Sequence, residues 1–234
     1  ELASLCQKAE HEFAGVRCGI MDQMSSVAGG AIVLDCRSLA FQRVQIPTDL
    51  SLVILDSGIP RGLSTTHYNE RRGQCEEGVR LLRERFPGIS ALRDVTPGML
   101  DACREDLSET VFRRCRHVVT ENVRVSAAAK AFAENDFPAV GKLLQESHVS
   151  MRDDYEISLP EIDLLVEIAS SAPGCYGARL TGAGFGGAVI SLVDTGAADV
   201  FAEEVVEEYR AKTCKAGTAM RVVPDEGSRK EEPV

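Results

Sequence analysis

Along this chain, apolar positions recur with helical spacing in some stretches and gather into short β-branched runs in others. Leu2, Leu5, Cys6, Ala9 and Phe13 fall on one face of a helix that Gly15 is placed to close. A short helix over residues 23–28 is broken by Gly29-Gly30. Residues 31–35, 41–46 and 52–55 read as strands. Ser64, Thr65 and Thr66 offer N-caps for a helix reaching about residue 86, where Pro87-Gly88 ends it. Thr96-Pro97 starts helical patterns that run to residue 134, with Pro at the first helical position. Asn135-Asp136 punctuates them, and a further helix covers residues 137–148. Ser158-Leu159-Pro160-Glu161 spells a capping box ahead of Ile162, Leu165, Val166 and Ala169, and Pro173-Gly174 ends that helix. A helix over residues 197–212 and a strand over 220–223 follow. Residues 225–234 are polar and read as a frayed tail. The later half thus reads strand, helices, strand, helix, strand: an α+β class, with helices on one face of a small antiparallel sheet.

The densest signal is the stretch of residues 180–193, where Gly182, Gly184, Gly186 and Gly187 precede an apolar, β-branched run. The letters spell G-x-G-x-x-G, but a dinucleotide loop needs a strand before it and a helix after it, and here a strand follows. They also spell the protein-kinase loop, whose V-A-I-K, H-R-D and D-F-G companions do not occur. Two readings remain: a phosphate held by backbone N–H groups, or a tight backbone crossing that needs no ligand.

Composition narrows the function classes. The chain has 234 residues, room for one large domain or two modest ones. Its 26 basic against 36 acidic residues leave a net charge of −10, which argues against a nucleic-acid surface and against anionic membrane. The 8 cysteines form no C-x-x-C pair, so zinc is not expected and reduced thiols are. His117 and His148 have no second histidine at metal spacing and read as structural. Met151-Arg152-Asp153-Asp154-Tyr155 reads as a polar connector, solvated or salt-bridged, whose paired acids could also bind a cation. Asp22 is the one acid in a neighbourhood of apolar and small residues, and suits either a helix N-cap or a catalytic carboxylate. Tyr68, Arg71 and Arg72 sit in the first turns of their helix; a solvated face is the plain reading for the two arginines, a half-buried aromatic for Tyr68.

Taken together, the motifs resemble the galactokinases of the GHMP small-molecule kinase family. Residues 18–23 (C-G-I-M-D-Q) look like the family segment that carries a catalytic aspartate. Asp35-Cys36-Arg37-Ser38-Leu39 is similar to its D-C-R-S-L, and Tyr68-Asn69-Glu70-Arg71-Arg72 to its Y-N-x-R-R. Residues 116–122 (R-H-V-V-T-E-N) and the stretch from Glu146-Ser147-His148 to Asp153-Asp154-Tyr155 match further signatures, and residues 180–187 resemble its third motif. The resemblance runs to about Val223.

That resemblance implies an α+β, GHMP kinase-like fold. Residues 1–50 would be the remainder of an N-terminal domain carrying the catalytic aspartate. Residues 51–224 would be a C-terminal domain with a ferredoxin-like sheet and helices. The reaction would be ATP plus α-D-galactose giving galactose 1-phosphate, with Mg²⁺, in the cytoplasm. Asp22 would take the proton of the sugar C1 hydroxyl. Gly19 would lie against the galactose ring with Cys18 near it, Tyr68 would hydrogen-bond a sugar hydroxyl, and Gly182, Gly184 and Gly186 would lie near the nucleotide phosphates. The family's first motif, and the second (P-x-G-x-G-L-S-S-S) with its Mg²⁺-binding serine, do not occur in these residues. Both are expected upstream, which suits a first helix already in phase at Leu2 without a capping residue. The chain is therefore expected to be a fragment that needs that upstream segment and is inactive, or nearly so, without it. A galactose-responsive regulator without turnover would share these motifs. An N-acetylgalactosamine kinase tends to have Gly where Ile20 stands, so the sequence leans to galactose. A plain α+β interaction module would require six accidental matches.

Overall fold

The computed structural model describes residues 1–60 and 64–229. Helix α1 (Leu2–Ala9) widens into a looser turn at Glu10–Ala14 and stops at Gly15, whose φ of 68° favours glycine. Helix α2 (Met21–Ala28) leads into the hairpin of β1 (Ala31–Leu34) and β2 (Phe41–Val44), a two-stranded sheet of its own. The chain continues through β3 (Leu50–Asp56), α3 (Ser64–Arg85), α4 (Pro97–Ala102), α5 (Glu109–Ala133), α6 (Phe137–Ser150) and α7 (Pro160–Ser171). Strands β4 (Cys175–Thr181) and β5 (Ala188–Asp194), helix α8 (Ala198–Thr213) and β6 (Thr218–Val222) complete it. The side chains of Ser64, Thr65 and Thr66, the expected caps, and the tail beyond Arg229 fall outside what is described.

Strands β3 to β6 form one antiparallel sheet in the order β4–β5–β3–β6. The α+β class holds, but the sheet is covered on both faces rather than one. Val53, Leu55, Leu180 and Val189 pack against Ile162 and Leu165 of α7 and Phe201 and Val205 of α8. Leu50 and Leu192 face the other way, against Phe137 and Val140 of α6. Strand β4 is not announced by the sequence pattern. Its apolar alternation is broken by Gly177 and by an irregularity between Cys175 and Gly177. Gly177 is there because α6 crosses β4 backbone to backbone: a Cβ on Gly177 or Gly141 would run into the other strand or helix. A further core joins α3, α4 and α5 around Leu82, Leu100, Phe112 and Cys115.

The N-caps follow local chemistry in part. Thr96, Ser108 and Asp136 each accept an N–H from the first turn of α4, α5 and α6. The expected capping box at Ser158 does not form. Leu159 takes the cap position of α7, and the Ser158 hydroxyl donates instead to Asp163 Oδ1 at 2.5 Å. Residues 151–155 are not a connector but a wider helical turn continuing α6, with Asp154 buried and salt-bridged to Arg116. The apolar face expected for α1 stays largely in solvent, with Leu5 63% and Phe13 88% exposed. All 8 cysteines are free thiols, and burial pushes that of Cys115 up to about 12.

His117 is structural, as expected. It stacks on Tyr155 at 4.5 Å, and its Nδ1 lies 3.0 Å from the Ser150 hydroxyl, which donates to Asp154 Oδ2. Burial is the largest influence on the imidazole and lowers its pKa from 6.5 to about 4. Above pH 6.5 the ring is neutral whether the chain is folded or not. Between 6.5 and 4 the unfolded chain takes up a proton that the folded one resists, so stability falls as pH falls. The loss reaches at most about 3 kcal/mol by pH 4. The expected result is that His117→Gln, compared with the parent in urea melts from pH 7 to 4, loses this part of the acid destabilisation.

Candidate active site

Tyr68, Asn69, Arg71 and Arg72 lie on the first turns of α3 and hold two other segments. Towards residues 15–19, the Gly19 N–H donates to the Tyr68 hydroxyl at 3.3 Å. Asn69 accepts from the Arg17 N–H and donates to the Gly15 carbonyl, both at 3.2 Å. Arg72 donates to the Arg17 carbonyl and pairs with Glu76 at 3.1 Å. Towards the turn after α6, Arg71 donates to the carbonyls of Tyr155 at 2.7 Å and Glu156 at 3.1 Å. The plain solvated reading of Arg71 is thus wrong: it is 8% exposed. Two backbone carbonyls and a Glu70 carboxylate at 3.3 Å compensate its charge.

The segment so anchored ends in α2. Ile20 occupies the cap position without a side-chain hydrogen bond, and Asp22 lies inside the first helical turn. The N-cap reading of Asp22 therefore fails, and its carboxylate is not used on the helix backbone. It is exposed, close to the partial positive charge of the helix N-terminus, and makes no ion pair among the described residues. Cys18, half-buried, presents its carbonyl to Gln7 at 3.2 Å and His11 at 2.9 Å.

Cys18, Gly19, Asp22, Tyr68 and Gly182 line one cavity of about 360 Å³. Gly19 and Tyr68 also line a neighbouring cavity of about 670 Å³ bounded by Arg72, Cys75 and Tyr155. Among the described residues no group of three or more His, Cys, Asp or Glu comes together to hold a metal.

The glycine loop divides its work. Gly182 and Ala183 border the Asp22 cavity. Gly184 (φ 81°) presses against the Ile157 carbonyl, and the Phe185 N–H donates to it at 2.8 Å. Gly186 (φ 118°) presses against the Ile59 carbonyl, to which Gly187 donates at 2.9 Å. Close backbone crossing accounts for Gly184 and Gly186, and two of the loop's N–H groups are committed within the protein. Phe185 itself stacks on His67 at 4.8 Å and lies 5.8 Å from the Arg71 guanidinium.

The far end of α2 is held by residues the sequence did not single out. Arg43 of β2 donates to the carbonyls of Ala28 at 2.6 Å and Gly29 at 3.0 Å, a cation at a helix C-terminus. Residues 225–229 are not frayed but lie across the same end. Gly30 N–H donates to the Asp225 carbonyl at 2.8 Å, and Ser228 N–H to that of Ser26 at 3.0 Å. The crossing is tight: a side chain on Gly29 would meet the Gly227 nitrogen, and one on Gly227 the Val27 carbonyl. Nothing in the local pattern of the tail announces this contact. The D-C-R-S-L motif serves the hairpin. Arg93 holds Asp35 at 2.6 Å, and Arg37 holds Asp94 at 2.8 Å. The Arg93 guanidinium, then the N–H groups of Arg37 and Ser38, keep the Asp35 carboxyl well below the usual range. Gln23 stands beside Asp22. It lines the cavity, and its Oε1 is buried without a partner among the described residues.

Gly227→Ala is expected to push residues 225–229 off α2. Amides of residues 24–28 would exchange at least tenfold faster in hydrogen exchange, those of β3 and β5 would not, and stability would fall by about 1–3 kcal/mol.

Residues 128–211 match the family model described as GHMP kinases C terminal. Over 221 residues the chain is 46% identical to a galactokinase of Roseiflexus sp. (strain RS-1), covering 93% of this chain and 56% of that protein. It is 44% identical over 234 residues to a galactokinase of Chloroflexus aggregans (strain MD-66 / DSM 9485), covering 95% and 60%. The crystal structure of Lactococcus lactis galactokinase complexed with galactose superposes with a TM-score of 0.91 at 34% identity, over 98% of this chain and 60% of that one. The chain thus spans somewhat more than half the length of the relatives it matches. With its sheet, its glycine loop and its α3 motif in the places described, the chain carries a GHMP kinase C-terminal region at residues 128–211 and is similar to galactokinases over most of its length.

Proposed function

We propose that this chain supplies the sugar-side half of a galactokinase, which phosphorylates the C1 hydroxyl of α-D-galactose with ATP. The convergence of Cys18, Gly19, Asp22, Tyr68 and Gly182 on one cavity carries the reading. Galactose bound there would place its C1 hydroxyl at Asp22. The hydroxyl oxygen forms its bond to the γ-phosphorus, the bond from that phosphorus to the β-bridging oxygen breaks, and the proton passes to the Asp22 carboxylate. Tyr68, already fixed by the Gly19 N–H, and the Gly19 backbone would position the ring. Ala183 and Gly182 would border the transferred phosphoryl group. Mg²⁺ belongs to this reading, but the described residues do not assemble a site for it, so its ligands are assigned to the part of the relatives that this chain does not match. A cytoplasmic setting goes with the reading; among the described residues no helix is long and apolar enough to cross a membrane.

The test is galactose-dependent ATP consumption by the chain alone and with the unmatched part of a 46%-identical relative supplied alongside it. Turnover is expected only in the second case, and Asp22→Ala should lower kcat by about 10²–10⁴-fold with little change in KM. Sugar binding without turnover in the reconstituted protein would point to a regulator instead. Equal turnover by Asp22→Ala would remove Asp22 from the chemistry.

A further inference from the structure

A cavity of about 290 Å³ lies between the β1–β2 hairpin, β3, α5 and α6, and shares no lining residue with the Asp22 cavity. Its walls are mostly apolar: Ile32, Val44, Leu52, Val125, Phe132 and Leu144. At one side stand Glu121, Arg124, Ser147 and Arg179. Glu121 Oε1 accepts from the Ser147 hydroxyl and from Arg179 Nη1, both at 2.7 Å, and Oε2 accepts from Arg124 Nε at 2.7 Å. Burial alone would raise the Glu121 carboxyl. The Ser147 hydrogen bond and the charges of Arg179 and Arg124 outweigh it and keep Glu121 ionised.

The charges do not balance. Two guanidinium groups, 14% and 23% exposed, share one carboxylate. Glu121 is the one acidic side chain among the described residues lining the cavity. His117, beside the cluster, is neutral at pH 7, because burial lowers its pKa to about 4. A net positive charge therefore sits in an apolar wall. Arg124 Nη2 is buried with no hydrogen-bond partner among the described residues. An unpaired buried charged donor is the costliest state for such a group.

We propose that this cavity is a binding site for a small apolar carboxylate, whose carboxylate answers the excess charge of the Arg124 and Arg179 guanidinium groups and whose chain fills the space between Leu52, Phe132 and Leu144. The anion completes the charge balance, and the apolar lining selects against a fully hydrated ion such as phosphate. The volume is at the low end of ligand pockets, which suits a short acyl chain.

Hexanoate is the probe, titrated into the full chain and followed by the arginine side-chain NMR signals and by calorimetry. Saturable binding is expected, with hexanamide at least tenfold weaker. Arg124→Met should weaken hexanoate at least tenfold. Ala128→Phe, which fills the cavity and leaves all three charged groups in place, should abolish binding. Thermal melts of both variants identify any that fail to fold, and either one suffices for the comparison. Equal affinity for hexanamide, or full binding by a folded variant, would overturn the proposal. So would the absence of any response to saturating hexanoate.

Discussion

The burial of Arg71 is the constraint on which the site depends. A guanidinium taken out of water is tolerated only where its donors and its charge are answered. Here the answers come from the carbonyls of Tyr155 and Glu156, from Glu70, and from the ring of Phe185. Those contacts tie α3 to the turn after α6, and that turn, through the Ile157 carbonyl, holds the glycine loop. One helical turn around, Tyr68, Asn69 and Arg72 hold residues 15–19. A single stretch of α3 thus fixes both walls of the Asp22 cavity.

Asp22 itself depends on contacts at the other end of its helix. A helix of eight residues has little stability of its own. Helix α2 is held by Arg43 at its last carbonyls and by the backbone of residues 225–228. The hairpin carrying Arg43 is in turn pinned by the reciprocal pairs Asp35–Arg93 and Arg37–Asp94. These exposed pairs owe their value to geometry rather than to charge alone. Both Asp94 oxygens meet Arg37, and both Asp35 oxygens meet Arg93. The aspartate is left unpaired among the described residues while the helix that presents it is fastened at its far end.

Glycine has two uses in this chain that the letters do not separate. Gly184 and Gly186 take positive φ and lie under backbone carbonyls, while Gly182 borders the cavity. A G-x-G-x-x-G string therefore mixes packing residues with a possible ligand contact, and only the neighbours in space tell them apart.

By itself, the sequence determined the helices, the strands other than β4, the antiparallel α+β class, and the cap at Thr96. Periodicity and local hydrogen bonding set these within a few residues. Its motifs also named the residues that meet around the cavity. Tertiary structure decided what depends on partners distant in the chain. Strand β4 exists because a neighbouring strand and α6 accept a segment with weak local preference. Ser158 serves Asp163 rather than its own helix, and Arg71 leaves the solvent face for carbonyls more than eighty residues away. The polar tail lies across α2 through a contact between residues 26 and 228. In each case a polar group had two competing partners, one local and one remote, and packing brought the remote one within hydrogen-bond range.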